Sequence, residues 1–410
     1  MSLGSLTVNN ENQYQSEPDE VERRFVFIGK TSVSTLHNKV TSLNSGSDIG
    51  SIFTEDVAAA SATSKSSKTT KATKAVKTSS IDTESYAYRD LSAAQVNAGQ
   101  NWTAAFVGLP EGGVWSDALD IAMKLKRYEA VVICDPVETT ADLEAVSTKM
   151  ALVQSQKAQY MFAMTRTKAI DNTPDPAEPD GSETGQDWAT YITSLSELVD
   201  GFVSERVMCI PTLFENDLGI LAGRLCDRTV TVADSPMRTK TGTLLGMGSE
   251  STDKTGAVMP DTIFSDLDAL SFSVPQTYPG EDGWYWADGN TFDLQTGDYK
   301  LIENLRVVLK ACRQVYAIAI PTIADRSLNS SPQSTEKHKS IYRAPLRKMA
   351  KAVQINGVPF PGEIYPPGVN SIEITWVGTS KVMIYITVRP YNSPKDITIG
   401  VGIDLSVTTE

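Results

Sequence analysis

Histidine is nearly missing from this chain: His37 and His338 are the two in 410 residues. Neither lies in the stretch where strands and helices alternate, so a histidine triad or a multi-histidine metal site has no members to draw on. Cysteine is scarce as well. Cys134, Cys209, Cys226 and Cys312 stand singly, with no CxxC pair, which reads as buried free thiols in a reducing compartment. No run of about 18 apolar residues exists, which excludes a spanning helix. Residues 1–10 lack the basic start and apolar core of a secretory signal. GxSxG and GxGxxG are both absent. Gly29-Lys30-Thr31 resembles the end of a phosphate loop, but that loop needs a glycine five positions before Gly29, where Arg24 stands. No cofactor is expected.

What the chain does have is length for two or three domains, with 40% hydrophobic and 21% charged residues, as in an ordinary globular protein. A net charge of -13 repels phosphate and argues against nucleic-acid binding. The charge is uneven. Residues 300–351 carry eleven lysines and arginines against Glu303, Asp325 and Glu336, so a basic surface in an acidic protein is expected to meet an acidic partner. Residues 57–80 contain Ala, Ser, Thr and Lys without an acid, with Lys65, Lys68, Lys71, Lys74 and Lys77 at every third position. Repulsion along such a stripe favours an exposed loop.

Residues 24–28 predict a strand closed by Gly29. From 101 to about 232, apolar runs such as Ala130-Val131-Val132-Ile133-Cys134 alternate with helical spacing. This predicts a mostly parallel, doubly wound sheet. A helix over 140–157 is expected to be capped by Thr139 or Thr140. Asp135 and Thr212 fall at strand ends, where such sheets hold ligands, although acids there are common as plain caps. Asp288-Gly289 signals a hairpin turn. A helix over 300–316 follows, with Ile302, Leu305, Leu309, Cys312 and Tyr316 as its apolar stripe and Arg306, Lys310 and Arg313 opposite. A second basic helix over 335–351 is expected to kink at Pro345.

Two strands then alternate, Ile372, Ile374 and Trp376 on one and Val382, Ile384, Ile386 and Val388 on the other, around Gly378-Thr379-Ser380. Arg389-Pro390-Tyr391-Asn392-Ser393-Pro394 is a stiff extended tether. After it Ile397, Ile399, Val401, Ile403, Leu405 and Val407 occupy every second position, the period of a strand with one buried face. The tether lets the receiving sheet lie some distance away, in the same or another subunit.

This order of parts resembles the C-terminal core of the contractile tail sheath proteins of bacteriophages, nearest the Mu-like type and related to R-type bacteriocin and type VI secretion sheaths. The parts are a Trp/Tyr-Asp-Gly hairpin, a helix reading Asp298-Tyr299-x-x-Ile302-x-Asn304-x-Arg306-Val307-Val308, a second basic helix, a two-stranded hairpin and a tethered strand. The resemblance is most specific over 272–407. It implies a multidomain fold, α/β and α+β. Residues 1–24 form an N-terminal arm and 25–98 the N-terminal part of the core with the Lys/Ser/Thr loop. By the same resemblance residues 99–270 are expected to form an outward-facing α/β middle domain, 271–389 the C-terminal sheath core and 390–410 an arm that donates a strand.

The resemblance also implies a structural, non-enzymatic subunit stacked in rings around a tail tube, contracting to drive the tube through the host envelope. Leu6 and Val8 then belong to the N-terminal arm, and Ile397 to Val407 form the inter-subunit strand. Arg306, Arg313, Arg343, Arg347 and Lys348 become candidates to face the tube. The implied partners are further copies of itself, the tube, baseplate and tail terminator proteins, with no nucleic acid and no membrane insertion. The location is the virion, after assembly in the host cytoplasm. Burying six aliphatic side chains contributes about 9–18 kcal/mol, against about 12–24 kcal/mol for ordering a dozen residues. One arm is thus a marginal link, and many arms act together. The rival readings are another structural tail part, such as a tube or baseplate protein, and a hydrolase or nucleotide-binding enzyme built on the middle sheet.

Overall fold

The computed structural model describes residues 20–57, 78–174 and 185–402. Leu6, Val8, Ile403, Leu405, Val407 and the five evenly spaced lysines lie outside the described residues.

The first strand, β1 (Phe25–Lys30), is apolar on both faces because it sits in the middle of a sheet. It is followed by β2 (Val40–Asn44), α1 (Ile49–Ile52) and the ribbon β3 (Thr54–Val57) with β4 (Thr78–Ile81). Then come α2 (Tyr86–Ala98), β5 (Thr103–Leu109), α3 (Trp115–Met123), β6 (Ala130–Val137) and α4 (Thr140–Lys157). The alternation continues with β7 (Phe162–Ala169), α5 (Trp188–Val199), β8 (Val207–Thr212), α6 (Asp217–Cys226) and α7 (Ile263–Ala269). The six-stranded sheet has the order β2-β5-β1-β6-β7-β8, parallel except for β2. The expected mostly parallel, doubly wound unit is therefore present. One boundary is corrected: β1 pairs with both β5 and β6, so residues 25–98 and 99–270 share one sheet rather than two regions.

Alternate side chains of β1 feed two cores. Val26 and Ile28 join Val131, Ile133 and the inner sides of α3, α4 and α5, while Phe25 and Phe27 join Phe106, Val132 and the inner sides of α2 and α6. Helix α6 lies against α2 with almost no space between backbones. A Cβ at Gly219 would sit 2.2 Å from the Asp90 carbonyl oxygen, and one at Gly223 2.6 Å from that of Ala94. Of the two caps the sequence offers, Thr139 is the one that caps α4, in a capping box with Asp142.

The C-terminal half begins with the short pair β9 (Pro275–Gln276) and β10 (Tyr285–Trp286). Asp288-Gly289 follows β10 and does not form the hairpin turn expected there. Its glycine is needed for a different reason, since a Cβ would meet Ile302 Cγ2 at 2.3 Å. Next come α8 (Ile302–Ala319) and α9 (Pro332–Met349), the latter capped by Ser331 and carrying Pro345 inside it. The chain continues through β11 (Val353–Ile355), β12 (Val358–Phe360), β13 (Ile372–Trp376) and β14 (Val382–Ile386). A third core joins Val307, Ala311 and Val315 of α8 to Tyr342, Leu346 and Met349 of α9 and to Ile372 and Ile374 of β13.

Candidate assembly interface

The carboxyl ends of the parallel strands, the usual ligand position in such sheets, are filled here by internal bonds. Arg166 is fully buried and grips Asp90 with Nη1 at 3.1 and 3.2 Å, Thr212 through Nε at 3.1 Å and the Glu215 carbonyl at 2.6 Å. Its guanidinium also stacks over Tyr86. Asp90 accepts a bond from the Gly219 N–H, tying α2 to the start of α6. Asp217 accepts from the Leu213 and Phe214 amides, yet burial pushes its carboxyl up to about 6. Asp135 accepts from the Lys30 N–H and so ties β6 to β1, and Thr212 Oγ1 donates to the Thr167 carbonyl. Arg166, Asp90 and Thr212 are bound to one another, while Asp135 and Asp217 accept from backbone amides and Asp217 Oδ1 is buried without a partner; bonds of this kind stabilise the sheet.

The surface near the C-terminus differs. Strands β13 and β14 form a two-stranded antiparallel sheet, Ile372 opposite Ile386 and Ile374 opposite Ile384. One face is held by Tyr342 and Leu346 of α9. The other exposes Met383 and Tyr385. Beside it lies an apolar groove of about 1350 Å³, lined by Ile320, Ile323, Leu328, Trp376, Val382 and Ile384. Ile323 is 76% exposed.

Beyond β14 the tether is pinned at two points. The Tyr365 N–H donates to the Arg389 carbonyl at 2.8 Å, and the rings of Tyr365 and Tyr391 stack at 3.9 Å with the Arg389 guanidinium over Tyr365. Lys395 Nζ then reaches Asp288, and Glu303 Oε1 at 2.8 Å. Burial lowers the Lys395 pKa, but Glu303 and Asp288 outweigh it and the net shift is upward. After this anchor the alternating segment stands free. Ile397, Ile399 and Val401 are 69%, 79% and 91% exposed, and residues 396–402 carry no strand pairing. The expected strand thus has its apolar side chains in solvent and no sheet of its own among the described residues.

The basic candidates divide. Arg306 and Arg313 are corrected from tube-facing to internal. Arg306 is 2% exposed, with Nε 2.7 Å and Nη2 3.0 Å from the Glu129 carboxylate. Arg313 is 8% exposed and bonds Glu22 at 2.9 and 3.2 Å and the Tyr160 carbonyl at 2.6 Å. A charge inside the fold must be paired, and the acids that pair them lie just before β1 and β6. Burial raises the Glu129 pKa, but Arg306 and then Arg313 hold its carboxyl at about 2. Arg347 and Lys348 on α9 are exposed, and Arg343 is half-buried, donating to the Val369 carbonyl. Lys395 and Tyr365 escaped the sequence reading, and Asp288 and Glu303 entered it only as a turn signal and as an acid in the basic segment; the one signal available was a lysine directly after a Pro-containing tether.

Comparison with known proteins agrees with the expected family. The N-terminal domain of DUF2586 matches residues 3–290 and its C-terminal domain residues 298–406. A protein of Haemophilus phage HP1 (strain HP1c1) assigned as a tail sheath protein is 36% identical over 404 residues, 98% of each chain. Among solved structures, a chain of the anti-feeding prophage baseplate covers 99% of this chain and is itself covered in full, at TM-score 0.56 and 12% identity. The contracted sheath complex of an extracellular contractile injection system covers 99% of this chain and 98% of its own, at TM-score 0.57 and 9% identity. A sheath tail protein of Desulfitobacterium hafniense covers 94% and 96%, at TM-score 0.51 and 9% identity. These three likenesses concern the fold. The chain belongs to the DUF2586 family and, with its 36% identical relative from Haemophilus phage HP1, to the tail sheath proteins.

Proposed function

We propose that this protein polymerises into a sleeve around a tail tube by donating residues 397–407 to the sheet of a neighbouring copy. One observation carries the reading: an alternating aliphatic segment leaves a pinned tether with Ile397, Ile399 and Val401 in solvent. An exposed apolar strand with unpaired edges seeks another sheet. Among the described residues the two-stranded β13–β14 sheet has open edges, with the apolar groove beside it, so a second copy offers a fitting receiver. Leu6 and Val8 are assigned to the complementary N-terminal arm.

The basic side of α9, with exposed Arg347 and Lys348 beside half-buried Arg343, is the surface turned to an acidic tube protein, and the α/β unit faces outward. Baseplate and terminator proteins close the two ends of the sleeve. It is assembled in the host cytoplasm and works in the virion as structure, without catalysis. Contraction is a one-way change from a metastable extended lattice to a compact one, with rigid bodies turning on the arms.

The test is a chain ending at Asp396, purified and examined by negative-stain microscopy. Sleeves of normal length from this truncation would sink the donated-strand reading; loss of sleeves from a folded subunit is expected. Charge reversal at Arg343 and Arg347 examines the tube separately. Loss of co-assembly with the tube protein is expected, and unchanged co-assembly removes that surface.

A further inference from the structure

Helix α8 grips the roots of both terminal segments. At its first turn Glu303 and the nearby Asp288 hold Lys395, the last residue before the free C-terminal segment. Glu303 is 6% exposed, and its second oxygen, Oε2, is buried with no partner. Without Lys395 a buried carboxylate would sit beside a second carboxylate with no cation between them, which is costly. Further along α8, Arg313 holds Glu22, three residues before β1, and both side chains are 8% exposed. Arg306, between them, holds Glu129, which also accepts a bond from the Arg23 N–H. Ten residues separate Glu303 from Arg313 on one continuous helix, or about 15 Å at 1.5 Å per residue.

The helix itself cannot shift easily. Ile302, Leu305 and Leu309 belong to the core of the α/β unit, while Val307, Ala311 and Val315 belong to the core shared with α9 and the hairpin. The tether crosses a cavity of about 800 Å³, lined by Met237, Arg238, Tyr278 and Pro361 beneath it. Space for movement therefore exists under the strap, and the stacked Tyr365–Tyr391 pair and the Lys395 ion pairs hold it in place.

We propose that α8 acts as a ruler that fixes where the two arms leave the subunit, with Lys395 and Glu22 as the positioning residues. The proposal rests on the strand-donation reading above and adds what sets the length and origin of each arm. Opening the strap at Lys395 leaves Tyr391 stacked on Tyr365 and frees residues 392–395, about 14 Å of extra reach at about 3.4 Å per residue. A longer, looser tether lowers the effective concentration of the strand at its receiver. Pulling on one arm is then transmitted through α8 to the other.

The experiment uses the full-length chain. First, unassembled protein is acetylated with limiting acetic anhydride at pH 8 and the lysines are followed by mass spectrometry. Lys395 is expected to react at least about tenfold more slowly than the exposed Lys381, as for one charge-assisted bond. In Asp288→Asn/Glu303→Gln the two are expected to agree within about threefold. Second, the concentration needed to form sleeves is measured for Lys395→Met, Lys395→Arg and Glu22→Gln. Lys395→Met and Glu22→Gln are expected to raise it about threefold or more, and Lys395→Arg to stay near the original value. Equal reactivity of Lys395 and Lys381, or sleeve formation by Lys395→Met at the original concentration, overturns the ruler. The strand-donation reading fails on a different result, sleeves from a chain ending at Asp396.

Discussion

Replacing Arg306 by leucine is expected to destabilise the unassembled subunit by about 3–5 kcal/mol. The substitution removes two bonds to the Glu129 carboxylate, at 2.7 and 3.0 Å, and a third to the Leu225 carbonyl at 2.9 Å. It leaves a fully buried acid with the Arg23 N–H. The magnitude follows from two independent routes. The native environment moves Glu129 from 4.5 to about 2. At 1.36 kcal/mol per unit that is about 3 kcal/mol of stability at neutral pH. Breaking a buried pair by removing one partner costs about 3–5 kcal/mol in other proteins.

The folded-state pKa is depressed, so this contribution is complete above pH about 4.5 and fades as pH falls toward 2. Urea unfolding followed by tryptophan fluorescence at pH 7 is the assay. With a slope of about 3 kcal/mol per molar, the midpoint should fall by about 1 M. The double variant Arg306→Met/Glu129→Gln removes both charges and should lose clearly less than Arg306→Leu. A loss below about 1 kcal/mol for Arg306→Leu would refute the assignment of this arginine to the interior. So would a double variant as unstable as the single one.

Three further outcomes follow from the packing and charges. Gly219→Ala drives a Cβ to 2.2 Å from the Asp90 carbonyl oxygen, so α2 and α6 must separate; a lower midpoint in thermal melts is expected, and an unchanged one means the helices yield freely. Asp217→Asn should flatten the pH dependence of unfolding between about pH 4 and 6. Burial raises this acid from 3.8 to about 6, so its charged form weakens the fold as pH rises, by at most about 3 kcal/mol; an unaltered slope would show that Asp217 titrates normally. Leu346→Ala opens a cavity where α9 meets the hairpin and should cost about 2–5 kcal/mol in urea titration. Cys134 and Cys209, both fully buried, should then still resist thiol reagents below the transition.

The parallel strands were legible because burial on both faces leaves a continuous apolar run. Val131-Val132-Ile133 and Val207-Met208-Cys209-Ile210 are read directly. Phe25-Val26-Phe27-Ile28 bears the same mark, and assigning it to the α/β sheet needed only that comparison. Strand order was not legible, since β1 enters between β5 and β6 across more than seventy residues. The exposed tail was legible as a period-two pattern after two prolines. The inward course of Arg306 and Arg313 was not, because charge on a helix defaults to solvent. Their partners, Glu22 and Glu129, each precede a buried strand, and an acid at the mouth of an apolar run is a weak cue for a buried cation. Lys395 lies 92 residues from Glu303, and no local pattern joins such a pair.

The division of basic residues between α8 and α9 has a mechanical meaning for a sleeve. Helix α8 presents apolar side chains to two cores and turns Arg306 and Arg313 inward to Glu129 and Glu22. Helix α9 buries Tyr342, Leu346 and Met349 and leaves Arg347 and Lys348 in solvent. The first helix therefore joins the α/β unit to the C-terminal core, and the second carries exchangeable surface charge. Exposed charges at a contact contribute little each and weaken with salt, whereas the buried pairs resist both. A body that must release one surface while keeping its shape needs this asymmetry. If α9 meets an acidic tube as proposed above, raising salt should free that surface long before it loosens α8. A sleeve that loses its tube at high salt while its subunits keep their unfolding midpoint is the expected behaviour, and simultaneous loss of both would place the two helices in one cooperative contact.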